Sequence, residues 1–462
     1  MENTAVFVPG EKSKYLRNDK ELNAFKKIAV GYVFALYVLP QYFGLPNPIF
    51  DLTAVRIMII LVLAMVIADY QRTQDFKNIL LTEKVWLVLI PYIIVIGYTM
   101  VLRADLNAFL NPFIEFLEMY ILIYLIKHTF GVEEFTELIL TLVYTLTFLG
   151  MMEIAMGTSP FSYLTTIDGI YTGRFIRGGH YRIMSSASHS LGYGLMLVTM
   201  LSVSAYDVKT KEFNVFRRPV LLILLMVNVF QTGSRSTLGV AFAEIALMFV
   251  LSDLKYFKAN CIYLATGLVM FGLILAAAFK TSFGNYIMLQ LTSVYDSVFD
   301  TTYSAAYGAD VTQLRQSKAY RDLLEEIFHV DWVNPILGLG RKRGFRSLVN
   351  GRKVESIDNF YIAEFVRYAY PGMYSFMLYA FGLTASMAKD IIKTRSGIIR
   401  MCFVGASMYL LNIKVVDSLQ TLKYLYVLFA IYICADKSPY VPKEKKKSRY
   451  LKKEKFYFAR IK

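Results

Sequence analysis

Apolar runs separated by short polar breaks set the plan of this chain. They lie near residues 28–44, 53–69, 85–102, 112–126, 137–156, 189–206, 219–231, 236–252, 260–279, 371–388, 399–413 and 422–435. A helix needs roughly 20 residues to cross the hydrocarbon of a bilayer, and about twelve such spans use about half of a chain of this length. The pattern predicts an all-α, polytopic integral membrane protein with about twelve transmembrane helices.

The polar breaks carry a second signal, because short cytoplasmic loops are the positively charged ones. With the N-terminus inside, the inward segments are 1–27, 70–84 (Arg72, Lys77, Lys84), 127–136, 207–218 (Lys209, Lys211, Arg217, Arg218), 253–259 (Lys255, Lys258), 389–398 (Lys389, Lys393, Arg395) and the tail. Every strongly basic short segment falls on one side, and an even count of spans puts both termini in the cytoplasm. Two outward segments, 157–188 and 280–357, are long and exempt from that rule. The expected organisation is a cytoplasmic segment at 1–27, nine helices over 28–279, a large extracytoplasmic loop with a short interfacial helix at 280–370, three helices over 371–435, and a basic cytoplasmic tail at 436–462.

Composition narrows the class. Of 462 residues, 56% are hydrophobic and 18% charged, and a mean hydropathy of +0.44 excludes a soluble enzyme. The net charge of +15 is partly a tail, KEKKKSRYLKKEKFYFARIK, that reads as a contact with anionic headgroups. No recognition module accompanies the charge, so nucleic acid is not an expected partner. Cys261, Cys402 and Cys434 fall in apolar stretches without CxxC spacing, which argues against disulfides and zinc. The polar, basic start of the chain leaves the first span as the targeting signal.

Cations gather on the expected outer side in three places: Arg174, Arg177, His180 and Arg182; Arg235 in QTGSRST; and Arg341, Lys342, Arg343 and Arg346 after NPILGLG. Arginine forks grip phosphate oxygens bidentately, so a convergent set suits a pyrophosphate; the same residues also serve as interfacial anchors. Ser234 or Thr232 is positioned to cap the helix that begins at Arg235, which makes an anion site or simply a capped hairpin. In ESIDNFYIAEFVRYAYPG, helical spacing from Asp358 through Tyr361 or Ile362 to Phe365 predicts a short helix, and Tyr370-Pro371-Gly372 breaks it ahead of a span. Asp358 is either its N-cap or a carboxylate able to take a proton from a sugar hydroxyl. Among intramembrane carboxylates, Glu115 and Glu118 share a helix face and are expected to pair with Arg56 or Arg103, with Glu153 and Glu244 unassigned. No HExxH, DxD or clustered His and Asp spacing predicts a metal, and no cofactor is expected.

QTGSRST ahead of an apolar helix, RIMSSASHSLGYG entering the sixth span, and the run from NPILGLG through DNFYIAEFVRYAYPG resemble the O-antigen polymerase and ligase family of polytopic membrane glycosyltransferases, over roughly residues 174–390. The resemblance implies metal-independent transfer of a glycan, with inversion, from undecaprenyl pyrophosphate to an acceptor hydroxyl at the outer face of a bacterial cytoplasmic membrane. It implies pyrophosphate binding by Arg177, Arg182, Arg235, Arg341 and Arg343, a base in Asp358, and Asn359 orienting the acceptor. His180, Ser234 and Tyr361 are further candidates. Implied partners are the carrier-linked oligosaccharide, membrane lipids, a chain-length regulator and other polysaccharide-assembly proteins. The ligase branch has His before the Asn of this last block; Asp358 stands there instead, which favours a polymerase. A ligase and a flippase of lipid-linked oligosaccharide remain the alternatives.

Overall fold

The computed structural model describes residues 19–47, 51–171, 173, 175–177, 180–341, 347–354 and 356–440. It is mostly helical, 73% by residue, and its strands are confined to short antiparallel hairpins such as Gly44–Leu45 with Leu52–Thr53 and Ile176–Arg177 with His180–Tyr181. The helices are α1 (Asp19–Val38), α2 (Ala54–Ile67), α3 (Tyr70–Thr82), α4 (Trp86–Arg103), α5 (Leu106–Leu125), α6 (Val132–Met156), α7 (Ser190–Ala205) and α8 (Pro219–Gln231). They continue as α9 (Arg235–Leu251), α10 (Phe257–Ala278), α11 (Ser282–Phe299), α12 (Val311–Glu325), α13 (Phe360–Thr394), α14 (Gly397–Asn412) and α15 (Leu422–Cys434).

Each of the twelve apolar runs is helical, although the first stops at Val38 ahead of Pro40. Five helical stretches are long and apolar enough to cross a membrane by length and composition: Trp86–Arg103, Leu106–Phe130, Val132–Met156, Leu254–Ala278 and Gly397–Val415. A sixth arises if α2 and α3, bent by 110° at Ala68 and Asp69, count as one span. The bend has a local cause, since Asp69 turns out of the helix and accepts from the Gln71 and Arg72 amides to start α3. Residues 70–84, expected as a short loop, are therefore mostly helix. The stretch 280–357 likewise holds α11, α12 and a hairpin pairing Ser347–Val349 with Arg352–Val354.

Central α7 is buried along nearly its whole length and packs on α6, α8, α9, α14 and α15. Small residues allow such close approach: a Cβ at Gly150 would fall 1.8 Å from Asn228 Oδ1, so α6 and α8 meet only because none is there. By contrast α10 has a single buried residue, Asn260, and touches its neighbours near its ends. The connections sort to two ends. At one, Lys127 bonds Glu83, Lys211 bonds Glu133 and Arg400 bonds Asp253. At the other, Gln41 meets Gln420, Arg103 meets Gly338 and Arg182 meets Thr232.

Within α13 the helix breaks where the sequence predicted it, at Ala369 (φ 58°, ψ −164°), two residues before Pro371. Proline lacks an N–H and crowds the carbonyl four residues back, which here is Arg367. The freed carbonyls are taken over by the NPILGLG loop, Leu339 N–H donating to Val366 O (2.8 Å) and Gly340 N–H to Arg367 O (3.0 Å), while the Tyr370 N–H of the helix donates back to Pro335 O of the loop (3.3 Å). Gly338 has to be glycine for this, since a Cβ would stand 2.2 Å from Arg367 O.

Candidate functional site

The docked loop puts Arg341 at the edge of a cavity of about 460 Å³ at this second end. Asp105, which caps α5, accepts the Arg341 backbone N–H at 2.5 Å. The guanidinium Nε donates to Tyr368 Oη (2.7 Å) and Nη2 to Glu364 Oε1 (3.0 Å), while Tyr92 donates its hydroxyl to the other oxygen of fully buried Glu364. Arg367, one turn on from Glu364, forks onto Asp417 with contacts of 3.0 and 2.5 Å. Burial works against both arginine charges. For Arg341 the surrounding Tyr368 and Glu364 outweigh it, for Arg367 chiefly Asp417, and each guanidinium is held above its ordinary value. Both cations are fixed in place before any ligand arrives.

Asp358 borders the same cavity. The cap of α13 is Asn359, whose Oδ1 accepts from the Tyr361 and Ile362 amides. Asp358 is thereby released from capping; it is exposed, bonded by Ser356 Oγ (3.0 Å), and lines the cavity. His189 lines it too, as the N-cap of α7, with Nδ1 accepting from the Leu191 amide at 3.1 Å. The segment leading to His189 is held by Glu153, a buried carboxylate that accepts from Tyr181 Oη (2.6 Å), Met184 N (3.0 Å) and Ser185 N (2.7 Å). Ser186 adds a bond to Tyr37 O (2.7 Å).

The other predicted residues are spread wider. Arg182 is buried, with Nε on Thr232 O (2.5 Å) and its guanidinium over the Phe175 ring, close enough to His189 to act on it electrostatically, as Asp358 also does. Ser234 caps α9 by accepting from Thr237 N, and Arg235 is the first residue of that helix; neither borders the cavity. His180 stacks on Tyr286 (4.1 Å) beside a separate cleft between α6, α8 and α11. Tyr361 donates to Leu410 O (2.8 Å) and packs among aromatic rings. Arg177 pairs through its backbone with His180, and its side chain, like Arg174, Lys342, Arg343 and Arg346, lies outside the described residues.

Sequence reasoning did not single out Arg367, Asp417, Glu364 or Lys423. Glu364 and Arg367 stand three apart, a spacing that puts them on one helix face, and Asp417 interrupts two apolar runs; these were the available signals. Among the cations, Lys423 of α15 acts on Glu115 and Glu118 most strongly and Arg56 next, whereas Arg103 donates to Leu337 O and Gly338 O. Arg56, one of the two arginines expected to pair with them, acts on both carboxylates and bonds Asn111 (2.8 Å). Glu115 reaches the cavity from about 14 Å down α5, at 1.5 Å per residue from its start.

Among the described residues no cluster of His, Cys, Asp or Glu is arranged to hold a metal, and the three cysteines are free. No protein-family model matches the chain, and no curated protein matches it closely enough to count as a relative. The cavity brings together fixed guanidinium charge at Arg341 and Arg367, an accessible carboxylate at Asp358 and the capping ring of His189, around a space roomy enough for a polar ligand.

Proposed function

We propose that the protein is a membrane polysaccharide polymerase, transferring a glycan from undecaprenyl pyrophosphate to a hydroxyl of another lipid-linked repeat unit at the outer face of the cytoplasmic membrane. The observation that carries the reading is the release of Asp358 from capping by Asn359, which leaves a carboxylate facing the same cavity as Arg341 and Arg367. Ionisable side chains inside a helical membrane protein are costly and mark sites of action. In the proposed step Asp358 takes the proton of the acceptor hydroxyl as its oxygen bonds the anomeric carbon, and the bond to the pyrophosphate breaks with the electron pair leaving on phosphate. Arg341 and Arg367, the cations that line the cavity, stabilise that departing charge. The twelve helical runs and the sorting of their connections to two ends support a twelve-span arrangement with both termini inside.

One observation favours a second reading. Lys423 is buried beside Glu115 and Glu118, and deep charge of that kind suits a transporter that flips the lipid-linked unit. The deciding experiment compares lipid-linked and surface glycans in the producing cell for wild type, Asp358→Asn and Arg341→Lys at equal protein levels. Single repeat units exposed on the outer face uphold the polymerase. Units trapped on the inner face indicate the flippase, finished chains stranded on the carrier indicate a ligase, and an unchanged ladder of chain lengths in both variants refutes the site.

A further inference from the structure

His189 does two things at once. Its Nδ1 accepts the Leu191 amide and so caps α7, while His189 also lines the cavity that Asp358 lines, near enough for the two to interact electrostatically. An imidazolium has no acceptor nitrogen, so the capping ring is the neutral form, and its one proton sits on Nε2. The tautomer is fixed by the fold: α7 consumes the lone pair on Nδ1, and Nε2–H is left as a donor. The Phe175 ring, 5.0 Å away by centroid, and the segment anchored on Glu153 hold the imidazole in that attitude.

We propose that His189 and Asp358 form a hydroxyl-reading pair, in which an alcohol oxygen of the incoming sugar accepts from His189 Nε2–H and donates its own proton to Asp358. A hydroxyl is the group that suits this pair, because it is both donor and acceptor; a phosphate oxygen satisfies His189 but is repelled by Asp358, and an ammonium does the reverse. The inference rests on the polymerase reading and adds to it the subsite for the acceptor. In the transfer step the oxygen bonded by His189 becomes the bridging glycosidic oxygen, its proton passes to Asp358, and the pyrophosphate departs with the electron pair of the broken bond. His189 exchanges no proton; it sets the direction from which the oxygen attacks.

The test separates capping from reading. Asn and Ser are good N-caps, so His189→Asn and His189→Ser keep α7 capped, while the donors they still carry sit on side chains at least one bond too short to stand where Nε2–H stood. Purified full-length protein is supplied with lipid-linked repeat units extracted from cells lacking it, and chain elongation is timed. His189→Asn and His189→Ser are each expected to lower kcat/KM about tenfold, the worth of one hydrogen bond, and Asp358→Asn to lower it about 10²-fold or more. Because both residues act on one hydroxyl, the double variant should be no worse than Asp358→Asn alone. Fully multiplicative losses, or cap-preserving variants as active as wild type, overturn the pair. Nitrogen NMR of histidine-labelled protein, with the His189→Asn spectrum identifying the resonance, should find Nδ1 unprotonated at neutral pH; a protonated Nδ1 also overturns it. Wild-type protein that elongates nothing overturns the polymerase reading, whereas elongation by wild type with an unaffected His189→Asn removes the His189 role alone.

Discussion

Replacing Glu364 by Gln is the sharpest test of how the site is held. Glu364 is fully buried and gathers three contacts, from Tyr92 Oη, Arg341 Nη2 and Arg367 Nη1, the last at 3.4 Å. Gln keeps the shape and one carbonyl acceptor but removes the charge. Arg367 still has both oxygens of Asp417, so it loses little. Arg341 is only 11% exposed and has no other carboxylate on its guanidinium among the described contacts, so it becomes a buried, uncompensated cation. Breaking a buried pair from one side costs about 3–5 kcal/mol, and the surviving Gln carbonyl places this case near the lower end. Equilibrium unfolding of the purified protein by a titrated anionic detergent would measure it. The double variant Glu364→Gln with Arg341→Met should regain most of the loss, since removing both partners leaves no orphaned charge. A single variant as stable as wild type, or a double variant less stable than the single, would refute the reasoning.

Other outcomes follow from the same geometry. Gly338→Ala forces the loop off α13, and with two loop-to-helix hydrogen bonds and both Arg103 contacts at stake it should cost about 2–4 kcal/mol, read as a lowered unfolding midpoint together with lost activity. Ser234→Ala removes the α9 cap and should cost about 1 kcal/mol while leaving glycan chain length unchanged, because Ser234 does not border the cavity. Arg235→Lys keeps the charge and loses the fork; as Arg235 also lies off the cavity wall, chain length in cells should hardly change, and a collapse to single units would return Arg235 to the pyrophosphate site. Asn359→Ala should weaken the start of α13 by about 1 kcal/mol and disturb the neighbouring Asp358, seen as a fall in kcat larger than the loss of folded protein explains.

Features with a local cause were legible in the sequence. Apolar runs became helices because their length and composition leave the backbone no better partner than itself, and the Pro371 break and the Ser234 cap follow from one residue's chemistry acting within a turn. Asp358 was visible as a candidate, but whether it or Asn359 would cap was not, since both are good caps and a one-residue shift in helix start decides between them. Arg367 with Asp417, Arg341 with Asp105 and Glu153 with Ser185 stayed hidden for another reason. Their separations in the chain, 50, 236 and 32 residues, carry no periodic signal. The bent helix α3 was hidden by its own polarity, because a helix lying across the end of a bundle has no long apolar run to betray it.

The free-standing α10 has a consequence for how this protein changes over generations. A side chain on α7 must fit five neighbouring helices, whereas most of α10 is exposed, with Phe257 against Phe249, Tyr263 against Phe216 and buried Asn260 among the exceptions. One apolar residue there should serve nearly as well as another, so substitutions that would disrupt α7 are expected to be tolerated in α10. Related chains should agree closely around Gly150, Gly338 and Asn359 while differing freely over 264–278, with hydropathy as the inherited property and identity lost.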